Sequence, residues 1–355
     1  MSALIALPEK DVVTMLERAS YQETADAFGV SRGKVYSIAL AHGARKHEKR
    51  IQERRAERKA RQKAALLELI GDTQKADVLD WLDSLPDGAA DLVVTSIPYN
   101  VGKRYGDCSS ADAMAHAYYM GWMQMIISEL ARVLKPGGVL FLQCGSTRND
   151  TGRIVPLDIL LHETVTKTGL VHQNRVIWTI GHGLTPKDRL SGRHETALIA
   201  TRGDKPRVFN PDPARTPQKQ PGKRAYKGPN KGKLSGHPFG AWPSDVWSIP
   251  NIGHNHPEKT GHPAQFPEEL AMRAVQLYTQ PGDLVLDPFS GSGTVHACCI
   301  KSHRRFAGCD LFYEDIRAKR LAGVQPATSS TLPGVSDQSM AVWQAEAIAV
   351  AHTPE

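Results

Sequence analysis

The chain has 355 residues, 41% of them apolar, and 44 Lys and Arg against 37 Asp and Glu give it a formal charge of +7. That length suits one large α/β unit with appendages, the apolar fraction excludes wholesale disorder, and the basic excess favours an anionic partner. Five scattered cysteines with no C-x-x-C pair exclude a disulfide framework, and with no cysteine near His254, His256 and His262 a zinc finger is excluded too.

Residues 1–43 are expected to hold three short helices. Asp11–Arg18 carries an apolar stripe of Val12, Val13 and Leu16. Ser20 is placed to cap YQETADAF, with Glu23 completing a capping box, and after the turn at Gly29, Ser31 caps SRGKVYSIALAHG. A helix, a glycine turn and a second helix opening on Arg32 and Lys34 make the pattern of a helix-turn-helix that reads DNA. A helical hairpin packed on something else is the alternative, and Ala25, Val30, Val35 and Ile38 are core positions. Residues 44–69 follow as a basic helical linker, in which 44–63 holds ten Lys/Arg against three Glu. Glu57 and Arg61 are spaced for an i,i+4 pair, and Arg54 is a candidate phosphate contact should the linker also touch DNA.

From 70 to 203 the pattern alternates between strand and helix. DVLDWLDSLPDG is a short helix, AADLVVTSIPY a buried strand with its exit loop, and HAYYMGWMQMIISELARVLKPGG a long helix stopped by Pro136-Gly137-Gly138. VLFLQCG, LVHQNRVIWTI and HETALIATRG read as further strands, with VPLDILLHETVTKTG a helix between them. Residues 204–245 break the alternation: 202–233 has ten Lys/Arg against two Asp, with Pro and Gly throughout, and so long an insert in a compact domain is usually functional or disordered. The α/β pattern resumes over 246–322, and 323–355 reads as a poorly ordered tail.

Two strand exits carry polar clusters, TSIPYN at 95–100 and LVLDPFSGSGT at 284–294. The carboxyl edge of an open α/β sheet is where such folds bind ligands. In the second exit, Ser290, Gly291, Ser292, Gly293 and Thr294 form a tight turn into a helix, and glycines there let a ligand approach the backbone. Asp310 ends the next strand, 23 residues beyond Asp287, where an acid can hold a ribose diol. The phosphate fingerprint G-x-G-x-x-G is absent and Asp287 stands at the loop's mouth, which suits a cationic nucleoside rather than a pyrophosphate.

DPFSGSGT, with HPAQFPEEL before it and GCD after it, resembles the cofactor half of the β-class DNA amino methyltransferases, and TSIPYN resembles their catalytic tetrapeptide. The likeness covers roughly residues 70–318. It implies an α/β fold, a circularly permuted Rossmann-like methyltransferase sheet with helices on both faces, behind a small N-terminal helical segment. It implies S-adenosylmethionine as cofactor and double-stranded DNA as partner, with no metal and no membrane involved. Its implied catalytic segment is Ser96, Ile97, Pro98 and Tyr99: Ser96 and the Ile97 carbonyl accept hydrogen bonds from an exocyclic amine, and Tyr99 stacks on an extruded base. Ile97 departs from the family's usual first proline, which puts the loop's stiffness in doubt.

On the cofactor side the resemblance points to Asp77, with Asp72 as competitor, and to His262, Phe266, Asp287, Phe289 and Asp310. The insert lies where the class carries target recognition, so Arg215, Arg224 and Lys227 are candidate DNA contacts. Serine at position 96 is more typical of cytosine-N4 relatives, whereas Asn100 and the N-terminal segment favour adenine N6, the narrowly preferred acceptor. Two rival functions are a DNA-binding regulator on a methyltransferase-like fold and an RNA or protein-amide methyltransferase. A homodimer is a candidate assembly. Without an apolar run near the roughly 18–20 residues of a membrane span or a signal-peptide pattern, a cytoplasmic, nucleoid-associated protein is expected.

Overall fold

The strands are β1 (Thr73–Gln74), β2 (Ala90–Ser96), β3 (Leu134–Cys144), β4 (Ser146–Arg148), β5 (Ile154–Pro156), β6 (Val171–Thr179), β7 (His194–Thr201), β8 (Val246–Ser248), β9 (Leu284–Asp287) and β10 (Arg305–Cys309). The helices are α1 (Glu9–Met15), α2 (Tyr21–Phe28), α3 (Arg32–Ala41), α4 (Val78–Ser84), α5 (His116–Val133), α6 (Leu157–Lys167), α7 (Glu268–Tyr278), α8 (Thr294–Lys301) and α9 (Glu314–Ala322). This computed structural model describes residues 9–16, 21–42, 69–106, 112–181, 183, 185–220, 222–237 and 240–327. The expectations for Ser20, the arm 44–63 with Arg54, and the tail beyond 327 fall outside the described residues.

Eight strands form one sheet in the order β1-β10-β9-β2-β3-β7-β6-β8. Only β7 runs antiparallel to its neighbours within it. Strand alternation sorts the core into two layers. Val93 and Ile97 of the β2 segment, Leu140 and Leu142 of β3, and Leu284 and Leu286 of β9 join Trp81 of α4, Ile126 and Leu130 of α5 and Leu161 of α6 on one face. Leu92, Val94, Phe141 and Val285 join Ala274 and Val275 of α7 and Val295 and Cys298 of α8 on the other. Strands buried on both faces need the near-continuous apolar runs that make them legible.

The expected stop at Pro136-Gly137-Gly138 is a different feature. Helix α5 ends at Val133, and β3 starts at once and runs through those three residues. A register shift between Ala90 and Leu92 of the partner strand absorbs the extra length, as a bulge does.

β9 lies between β10 and β2, so chain connections leave it in opposite directions and open a crevice at the carboxyl ends. The insert sets off from the opposite side of the sheet: Arg207 pairs at 2.8 Å with Asp91 and at 2.6 Å with Asp283, and Asn210 N–H donates to Leu277 at 2.8 Å. It then closes a small loop, with Ala225 N–H on Lys233 at 2.9 Å and Ser235 N–H on Lys223 at 2.8 Å. The N-terminal helices have their own core of Val12, Leu16, Ala25, Val35, Ile38 and Ala39, with Val30 packed against it. Among the described residues no helix is long and apolar enough to cross a membrane.

Candidate active site

At the crevice lies a cavity of about 420 Å³, within the range of small-molecule sites. Its wall brings together Ser96, Ile97, Pro98 and Tyr99 from the exit of β2 with Phe289, Ser290, Gly291, Ser292 and Thr294 from the loop after β9. Asp77, His262, Phe266 and Asp310 are the other expected residues that border it.

The tetrapeptide loop is held at each step. Ile97 N–H donates to the Gln143 carbonyl of β3 at 3.4 Å, extending the ladder by one residue. The Tyr119 hydroxyl of α5 donates to the Pro98 carbonyl at 2.7 Å. The Tyr99 hydroxyl donates to Glu195 at 2.9 Å, and Gln143 Nε2 donates to the same carboxylate oxygen at 2.6 Å. Burial first, and the adjoining Glu195 charge second, push the Tyr99 phenol well above its ordinary range, so it stays protonated and can donate. Asn100 takes a left-handed φ of 56°, supported by Asp112, whose carboxylate gathers the N–H groups of Asn100 (2.7 Å), Val101 (3.1 Å) and Lys103 (2.9 Å). Among the acceptors of this segment without a partner among the described residues are the Ser96 hydroxyl and the Ile97 carbonyl. Both border the cavity.

Across the cavity, the loop after β9 turns through Gly291 and Gly293, at φ of 47° and 78°, values that side chains resist. A Cβ on Gly291 would stand 2.9 Å from His262 Nε2, so the histidine ring lies flush on the loop. Burial, then the charges of Lys103 and Arg317, lower the His262 pKa to about 4, leaving a neutral imidazole whose Nδ1 accepts Ala264 N–H at 3.2 Å. Asp310 accepts Gly291 N–H and Phe312 N–H, each at 2.8 Å, which fixes its carboxylate at the rim. Phe289 meets Trp122 of α5 edge-on at 5.8 Å between centroids.

Asp287 differs from the other expected residues. It lies behind the cavity wall, 1% exposed, where it accepts from the Thr95 hydroxyl at 2.9 Å and from Phe289 N–H at 3.2 Å. Burial raises its pKa to about 7 against those bonds. Asp77 caps α4 by accepting Leu79 N–H at 2.9 Å and also borders the cavity, whereas its competitor Asp72 accepts Thr73 N–H at 2.7 Å and does not.

The DNA candidates are dispersed. Arg215 is held by Asp212 at 2.7 Å and by the Gly240 carbonyl at 3.2 Å, and its guanidinium lies 5.1 Å from the Trp242 ring centroid. Arg224 donates to the Gly232 carbonyl at 2.6 Å, and Lys227 is exposed. Lys34 stands over the Tyr118 ring of α5 at 5.4 Å. Arg32 opens α3. Sequence reading missed Gln143, Glu195, Asp112 and Thr95. The apolar run before Ser96 carries no hint that Gln143 is its register partner. Among the described residues no group of His, Cys, Asp and Glu is arranged to hold a metal.

The family model described as DNA methylase, of the N6/N4 type, matches residues 90–318. The type II methyltransferase M.BglII of Bacillus subtilis is 40% identical over 261 residues, 73% of this chain and 71% of that protein. The DNA adenine methyltransferase YhdJ of Escherichia coli strain K12 is 28% identical over 242 residues, 68% of this chain and 78% of that one. The solved PvuII DNA methyltransferase, described as cytosine-N4-specific, shares the fold at a TM-score of 0.53 and 19% identity, covering 78% of this chain and 92% of that chain. With the family model spanning most of the sheet and M.BglII alike over nearly three quarters of the chain, the protein belongs to the N6/N4 DNA methylase family.

Proposed function

We propose that the protein is a site-specific DNA methyltransferase that moves a methyl group from S-adenosylmethionine to the exocyclic amino group of a base extruded from the duplex, with adenine N6 the favoured acceptor. The observation that carries this is the pair of unengaged acceptors, the Ser96 hydroxyl and the Ile97 carbonyl, on the wall of a cavity whose other wall is the glycine loop. An aromatic amine is a poor nucleophile because its lone pair is delocalised into the ring. Acceptors on its two hydrogens favour a more tetrahedral nitrogen, and a fixed geometry holds that nitrogen in line for displacement.

The chain's residues fit the cofactor. Phe266 and Phe289 offer apolar faces for its adenine, Asp310 and Asp77 offer carboxylates for ribose hydroxyls and the adenine amine, and the left-handed glycines leave room against the backbone. When bound, S-adenosylmethionine supplies an electrophilic methyl on a sulfonium. The protein's share of the reaction is positional. Tyr99 stacks on the base, and its hydroxyl, fixed by Glu195 and Gln143, keeps that ring from turning away. The exposed basic residues of the insert, Arg224 and Lys227, are the candidates for backbone and base-edge contacts; DNA contact by Arg32, Lys34 and Arg54 belongs to the same reading.

Cytosine N4 is the second reading, favoured by a serine at position 96 where an acid or asparagine is the alternative. Incubation with mixed genomic DNA and labelled cofactor, then nucleoside digestion and mass spectrometry, tests both. N6-methyladenine supports the first, N4-methylcytosine replaces it with the second, and no incorporation by folded, cofactor-bound protein overturns the enzyme reading in favour of a regulator.

A further inference from the structure

We propose that the N-terminal three-helix unit completes the cofactor end of the cavity, with Val30 and Ser31, in the turn before α3, as wall residues. The unit lies ahead of the segment 90–318 that the family model matches, and the inference rests on reading the cavity as the S-adenosylmethionine pocket. Ala25, Val30 and Ser31 border the same cavity as Asp77, Phe289 and Asp310.

Two glycines set how the unit reaches that position. A Cβ on Gly33 of α3 would stand 2.6 Å from Tyr118 Cβ and 3.0 Å from the Tyr118 carbonyl oxygen of α5. On the facing helix, a Cβ on Gly121 would stand 2.8 Å from Tyr36 Cδ1. Each helix presents a bare backbone to the other's tyrosine, so the two approach more closely than side chains of any size allow. The ammonium of Lys34 over the Tyr118 ring, 5.4 Å from its centroid, adds an attraction across the same interface.

One residue past Gly121 stands Trp122, which borders the cavity and meets Phe289 of the glycine loop edge-on at 5.8 Å. The docked helices therefore stand beside Phe289, the side of the cavity that serves the cofactor. A pocket closed by Val30 and Ser31 excludes water from the aromatic faces of the ligand's adenine. Undocking the unit opens that end and loosens cofactor binding, while the acceptor loop after β2 keeps its own supports from β3, α5 and β7.

The test uses the full-length protein and S-adenosylmethionine, with Kd measured calorimetrically and KM for cofactor and for DNA measured separately. Gly33→Ala, which presses on Tyr118 backbone, should raise the cofactor Kd about tenfold and act on the cofactor KM rather than the DNA KM. Gly121→Ala should weaken binding, and adding Tyr36→Ala, which removes the clashing ring, should restore it to within about threefold. Val30→Thr, close to valine in shape and remote from the Gly33–Tyr118 and Gly121–Tyr36 contacts, should also weaken binding, and it decides the matter if Gly33→Ala does not fold. Wild-type cofactor affinity in both folded variants, or an effect confined to the DNA KM, overturns the inference and returns the unit to a purely DNA-facing role. Absence of S-adenosylmethionine binding by the unaltered protein defeats the reading of the cavity itself.

Discussion

Asp287→Asn should stabilise the fold above neutral pH and weaken the cofactor site. The carboxylate is 1% exposed, and burial raises its pKa from 3.8 to about 7, although the Thr95 hydroxyl and Phe289 N–H pull the other way. A carboxylate whose pKa rises on folding binds its proton more tightly in the native state. Stability is therefore full below pH ~4 and falls as the pH climbs to about 7, where ionisation in the folded state is no longer resisted. At about 1.36 kcal/mol for each pH unit, the whole interval is worth at most about 4 kcal/mol, and the part between pH 5 and pH 8 about 2–3 kcal/mol.

Asparagine keeps an oxygen for Thr95 and Phe289 and cannot ionise. The unfolding free energy of the variant, measured by urea titration, should pull ahead of wild type by about 2–3 kcal/mol between pH 5 and pH 8. Affinity for S-adenosylmethionine at pH 8 should fall about tenfold, because a negative charge close behind the loop is worth about 1–2 kcal/mol to a cationic ligand at an intermediate dielectric. Parallel pH–stability curves for the two proteins would refute the burial argument. Unchanged cofactor affinity would make Asp287 a purely structural post between β2 and β9.

Tyr99→Ala should lower turnover by about 5- to 150-fold with the cofactor Kd held within about twofold, since base stacking is worth about 1–3 kcal/mol; normal turnover would take Tyr99 out of the base pocket. Glu195→Gln, which faces the Gln143 amide with a second amide and unsettles the Tyr99 hydroxyl, should lower kcat more than it raises the cofactor KM, and an equal change in both would argue against its positioning role. Gly291→Ala should abolish cofactor binding in a folded protein, because the position needs a φ of 47° and its Cβ would press on His262 at 2.9 Å; calorimetry decides. Neutralising Arg224 and Lys227 together should flatten the dependence of log DNA affinity on log salt, by roughly 0.9 for every phosphate that goes unneutralised, and narrow the gap between cognate and scrambled duplexes; an unchanged gap would move base reading elsewhere.

The central strands could be read from sequence because burial on both faces demands uninterrupted apolar runs: all but the last residue of ADLVVTS is buried, and so is every residue of LVLD. The glycine loop was legible for a local reason as well, since its conformation depends on residues close together in the chain. What stayed hidden was set by pairing between distant strands. Gln143 faces Ser96 only through the register of β2 on β3, and Glu195 reaches Tyr99 only because β7 runs backwards beside β3. A polar residue at a strand end also does not reveal which way it points. Asp287 and Asp310 both follow apolar strand residues, yet Asp310 stands at the cavity rim and Asp287 behind its wall.

Ile97 shows how a departure from a family pattern is absorbed. A proline at that position stiffens the loop by fixing φ and by having no N–H to satisfy. Isoleucine brings a freer φ and a donor that burial would penalise if it were left alone. Here the donor is not left alone: it bonds the Gln143 carbonyl at 3.4 Å and carries the β2–β3 ladder one residue further. The residue, 3% exposed, packs into the core with α5, and Pro98 beyond it is held through its carbonyl by Tyr119. Contacts from sheet pairing and core burial thus stand where a ring would constrain the backbone locally. The Ile97 carbonyl, which any residue would provide, has no hydrogen-bond partner among the described residues, and Ile97 borders the cavity, so the departure costs the segment no acceptor.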